Sequence, residues 1–193
     1  MRTLIIQQIV HTPADMGAMK DVLKEKGIEK IGKEAWEENL KKIEKFWDKV
    51  EEAIDKLDLD YSKVRIFQDG MPVGDDLALK IVNETAEKGS RNYQIVKKMI
   101  EKGAKIEETE SRELLLKEYD YVKEFTSADK EKKETALKEY EKAKDELIRK
   151  RDEFIAKRID ETLKEDETGF LFIGAHHKIK DKLASDIKVE ELD

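Results

Sequence analysis

Three short runs of almost unbroken apolar character, residues 3–10, 64–67 and 170–173, most constrain what this chain can fold into. They are built largely from Ile, Val, Leu and Phe, they are short for helices, and they do not alternate as a half-wet strand would. Strands of this kind are buried on both faces. That requires helices above and below a mostly parallel sheet.

The segments between the runs supply the helices. Residues 33–57 carry Trp36, Leu40, Ile43, Trp47, Val50, Ile54 and Leu57 along one stripe, with the aromatic rings read as core. A helix from Asp15 to about Lys26 would turn Met16, Met19, Val22 and Leu23 inward and end at Gly27. Further helices are expected over 76–88, where Leu77 and Ile81 face inward, and from Gly89-Ser90 to Gly103, with Tyr93, Val96, Met99 and Ile100 inward. Another spans 112–125 behind a cap at Thr109 or Ser111. A long charged helix restarts at 126–129 and runs to about Leu163. A short strand at 104–107, a helix or turn at 180–185 and an alternating edge strand at 187–192 complete the pattern. The expected fold is a single α/β domain with a mostly parallel sheet of four to five strands.

Composition narrows the chemistry. A chain of 193 residues suits one core, and 44% charged residues with abundant Lys and Glu and no cysteine is a thermophile-like composition. The net charge of −7 argues against a nucleic-acid duplex as partner. Without cysteine there is no disulfide, thiolate ligand or thiol nucleophile, so a metal would take imidazole, carboxylate and water. Residues 1–17 hold one basic residue and an apolar run broken by Gln7 and Gln8, unlike a signal peptide or a membrane span. The expectation is a cytoplasmic protein acting on a small-molecule or peptide substrate, with no nucleic-acid or membrane partner and a homo-oligomer left open.

Ligands of parallel sheets bind beyond the carboxyl ends of the strands. All three histidines fall there, His11 after the first run and His176 and His177 after the third; Asp69 follows the second run and Glu110 the short strand. Arg151 lies on the stripe Tyr140, Ala143, Leu147, Arg151, Ile155 and Ile159 that the long helix should bury. A guanidinium there either snorkels past the stripe or pairs with a carboxylate to hold the fold, or it points into a polar pocket and holds an anion or carboxylate there. Two imidazoles with a carboxylate suit a divalent metal, Mn, Co, Zn or Fe, with positions open for water. Without metal, one histidine is a general base. The bland alternative is that the histidines satisfy backbone groups at the strand ends.

Arg151-Asp152, Ile155-Ala156 and Ile159, followed by an apolar strand, Gly174-x-x-His177 and a closing strand, resemble the C-terminal part of the TraB/Tiki family, within the superfamily that includes erythromycin esterase and the ChaN haem-binding proteins. Gln8-Ile9-Val10-His11 resembles that family's first Gly-x-x-His element, with glutamine in place of glycine. Where the family uses a glutamate, this chain has Gln68-Asp69. The resemblance implies an amide or ester hydrolase, in its Tiki-like members dependent on a divalent metal.

The candidate catalytic residues are therefore Arg151, His177 and His11, and the candidate metal ligands His11, His177, Asp69 and Glu110. The alternatives are a non-catalytic binder of a small anion or haem at the same edge, and an interaction protein using the long charged helix.

Overall fold

The computed structural model describes residues 1–12, 14–15, 20–74, 77–125 and 130–192. Five strands form one fully parallel sheet: β1 (Arg2–Ile9), β2 (Val64–Gln68), β3 (Lys105–Glu107), β4 (Thr168–Gly174) and β5 (Ile187–Glu191), in the spatial order β3-β2-β4-β1-β5. Strand β4 lies between β1 and β2, with Ile9 opposite Gly174 and Gln68 opposite Phe172. The three strands that end at one another's side are thus the three unbroken apolar runs.

Their side chains alternate between two cores. Ile5, Ile9, Ile66, Phe170 and Phe172 face Trp47, Val50 and Ile54 of α2 (Lys33–Lys56), Val82 of α3 (Ala78–Glu87) and Val96 and Met99 of α4 (Arg91–Glu101). Leu4, Ile6, Phe67, Leu171 and Ile173 face Ile155, Ile159 and Leu163, the first two on α6 (Lys130–Thr162). The α/β architecture and both buried sheet faces follow from the unbroken apolar strands. Helix α6 has 33 residues, about 50 Å at 1.5 Å per residue, and its C-terminal half supplies the face that covers the sheet. Its earlier part pairs with α5 (Arg112–Phe125), where the Tyr121 and Tyr140 rings are 5.6 Å apart. No helix among the described residues is long and apolar enough to cross a membrane.

Some boundaries differ from expectation. Helix α1 (Lys20–Ile31) runs through Gly27 instead of ending there. Its hydrogen atom is needed for packing, since a Cβ at Gly27 would sit 2.2 Å from the Trp36 ring. Gly32, at φ +83°, makes the break to α2. Val10 lies beyond β1 and is exposed, and β4 is longer than the 170–173 run. Ser90 caps α4 and Ser111 caps α5, accepting from the amides of Tyr93 and Leu114. The expected inward packing of Met16 and Met19, the helix start at Asp76 and the restart at 126–129 lie outside the described residues, as do the side chains of Val22 and Leu23.

Candidate functional site

The carboxyl ends of β1, β2 and β4 open onto a cavity of about 420 Å³. His11, His176 and His177 all line it, as their places after the ends of β1 and β4 led one to expect. Only His177 is withdrawn from solvent, its side chain 5% exposed; His11 and His176 are exposed.

Asp69 is placed by the end of β2. Its amide donates to Phe172 O at 2.9 Å, continuing the β2–β4 ladder for one more residue. Gly70 then turns the chain at φ +77°, a conformation that disfavours side chains. The following loop is tied to the segment after β3, because the amides of Thr109 and Glu110 both donate to Met71 O. Asp69 and Glu110 are brought together this way, although they leave different strands.

Arg151 enters from α6 and joins them. Its Nε and Nη2 donate to the two carboxylate oxygens of Glu110, each at 2.6 Å. Nη2 also donates to Asp69 Oδ1 at 2.7 Å, and Nη1 to Glu118 Oε2 of α5 at 2.5 Å. Four of the five guanidinium N–H groups are thereby directed to carboxylates of the protein. Glu110 is fully buried, and its Oε1 also accepts from the Gly70 amide at 2.8 Å. Arg151 lines the polar pocket, and what it holds there is carboxylate supplied by the protein itself.

His177 is held by the residue next to that arginine. Its Nδ1 lies 2.5 Å from Oδ1 of Asp152, which is 2% exposed, while Oδ2 of Asp152 accepts from the Lys178 amide at 2.9 Å. With Nδ1–H donated to a carboxylate, Nε2 is the basic nitrogen. Nε2 faces Asp69 Oδ2 at 3.7 Å, beyond direct hydrogen bonding. That Oδ2 accepts from the Gly174 amide at 2.9 Å. A Cβ on residue 174 would stand 3.1 Å from it, so glycine here lets the carboxylate sit against the strand end.

These contacts set the protonation. Burial opposes a charged His177, but the Asp152 hydrogen bond and the Asp69 charge outweigh it and raise its pKa. Burial, helped by neighbouring Asp69, lifts Glu110 above the usual carboxylate range against the pull of Arg151. Burial also acts to raise Asp69, yet the Glu110 hydrogen bond, the charges of Arg151 and His177 and the Gly174 amide together hold it low. Burial pushes the Tyr93 phenol up, and Asp15, Asp69 and Glu110 add to the push.

The four residues expected to ligate a metal are not arranged for it. Arg151 takes the place of a cation among the carboxylates, both Glu110 oxygens are committed to it, and His11 is exposed. Among the described residues no group of three His, Asp or Glu could hold a metal ion. Of the four expected ligands, Asp69 and His177 are the two that face each other, at 3.7 Å. No family model matches the chain, and no curated protein or solved structure matches it.

Asp152, Glu118 and Tyr93 belong to this site without having been singled out for it. Asp152 is the second residue of the Arg151-Asp152 motif, and Glu118 shares a helical face with Leu114, Leu115 and Tyr121, so a carboxylate on an apolar stripe was the available signal. Tyr93 gave no signal beyond its place on the inward face of its helix.

Proposed function

We propose that the protein hydrolyses an ester or amide with His177 as general base and without a metal, a function in keeping with the resemblance to the TraB/Tiki family. The observation that carries this reading is the buried Asp152–His177 pair at the cavity, with Nε2 left basic and facing Asp69 Oδ2 at 3.7 Å. One water can touch both atoms across that gap. His177 Nε2 takes one proton from this water as its oxygen attacks the carbonyl carbon, while Asp69 accepts the other hydrogen and orients it. The same proton is then delivered from the imidazolium to the departing alkoxide or amine, and the carbonyl–heteroatom bond breaks.

The oxyanion of the tetrahedral intermediate needs a donor, and Arg151 is largely engaged. Tyr93 lines the cavity with its phenol kept protonated and supplies that hydrogen bond. Arg151 acts as a positioning residue, fixing Asp69 and Glu110. The engagement of Arg151 likewise disfavours a small-anion or haem-propionate binder. A screen of p-nitrophenyl esters and p-nitroanilides, with and without chelator, tests the function. Turnover that survives chelation and falls about 100-fold or more in Asp152→Asn supports it. Turnover that disappears with chelator and returns with Mn, Co or Zn contradicts it.

A further inference from the structure

The cavity that holds His177 has an excess of acceptors and negative charge. Asp15, Asp69 and Glu118 line it, and Glu110 and Asp152 stand directly behind. Arg151 is the one permanently cationic side chain among the described lining residues, and three of these carboxylates already share it. Such a field concentrates cations and repels anions.

A second observation points the same way. Gln68 and Asn92 are 1% and 3% exposed, both line the cavity, and the side-chain oxygen of each has no hydrogen-bond partner. At Gln68 the amide nitrogen is drawn toward Asp69 O at 3.4 Å, which identifies the oxygen as the free end. Asp15 adds a third unpartnered oxygen, Oδ1, its Oδ2 being taken by the amide and hydroxyl of Thr12. Buried acceptors without donors are costly, and a ligand that supplies donors relieves the cost.

We infer that the substrate carries a primary ammonium group, whose three N–H donors and positive charge answer the unpartnered oxygens of Gln68, Asn92 and Asp15 and the surrounding carboxylates. This names the substrate class for the hydrolase proposed above and rests on that reading. An aminoacyl ester or amide with a free amine would be accepted, and its N-succinyl counterpart refused.

Binding tests this apart from catalysis. Benzylammonium, benzyl alcohol and benzoate are titrated by calorimetry into wild type, His177→Ala and Asp15→Asn at about pH 8.5. Benzylammonium should bind at least about tenfold more tightly than benzyl alcohol, benzoate not at all, and salt should shrink the preference. The preference should persist in His177→Ala and fall several-fold in Asp15→Asn. Equal or better binding of benzyl alcohol or benzoate overturns the inference, as does stabilisation by Mg or Mn ions with none from benzylammonium. An undiminished preference in Asp15→Asn also overturns it. Ammonium binding in a protein with no turnover would sink the hydrolase alone, whereas turnover of N-acetyl esters in preference to free-amine esters would sink the ammonium site alone.

Discussion

Arg151 and Glu110 meet through two parallel hydrogen bonds of 2.6 Å, a two-pronged pair formed where Glu110 has no exposure at all. The pair ties α6 to the segment after β3, and through Asp69 to the end of β2. It is the joint on which the candidate site is assembled.

Removing the cation leaves buried carboxylates facing one another. Arg151→Leu should destabilise the fold by about 3–5 kcal/mol, and replacing Glu110 by leucine as well should recover part of that loss. Arg151→Lys keeps a charge but not the planar fork and should fall between wild type and Arg151→Leu. Urea unfolding measures all three. A loss below about 1 kcal/mol in Arg151→Leu would show that the cluster tolerates its own repulsion.

His177 gives the pH dependence. Its folded pKa is raised, so the stability from the charged pair is fully present below the unfolded value of about 6.5 and is lost as pH rises through the higher folded value. Activity runs the other way, because the base must be deprotonated, and should rise with pH to a midpoint above about 6.5. Asp152→Asn removes the largest raising influence and leaves burial, which lowers the pKa. Its residual rate should therefore titrate at lower pH than wild type, a displacement that loss of fold alone would not produce.

Gly174 makes a steric prediction. An alanine there brings Cβ to 3.1 Å from Asp69 Oδ2, and Asp69 cannot retreat freely because Arg151 holds its other oxygen. Gly174→Ala should reduce kcat more than stability, with a thermal shift equivalent to about 1–2 kcal/mol. Unchanged kcat would mean that the carboxylate position is not critical.

The core offers a control away from the site. At Gly169 a Cβ would meet Leu4 at 2.7 Å and Leu163 and Phe67 at 3.3 Å, all three well buried. Gly169→Ala should cost about 1–3 kcal/mol with kcat per folded molecule intact, as followed by urea unfolding and active fraction.

The division between what was legible in the sequence and what was not has physical causes. Unbroken apolar strands and 3.6-residue stripes report burial directly, so residues 3–10, 33–57, 64–67 and 112–125 announced their elements to within a residue or two. Gly27 misled because glycine has two uses, ending helices and admitting a close neighbour, and Trp36 made the second use decisive. At the site, strand ends located His177, Asp69 and Glu110, since parallel topology carries all such ends to one edge. Their partners were hidden, because pairing is a matter of three-dimensional register. Nothing in the chain order shows that Arg151 would spend its N–H groups on Glu110, Asp69 and Glu118, or that Asp152 would reach His177.

The central claim is that His177, oriented by Asp152, activates water in this cavity. The most direct test is kcat/KM of wild type and His177→Ala side by side on the best p-nitrophenyl ester, in chelator, with circular dichroism confirming that both are folded. The account predicts a fall of about 100-fold or more in the variant. Equal rates in the two folded proteins would contradict it.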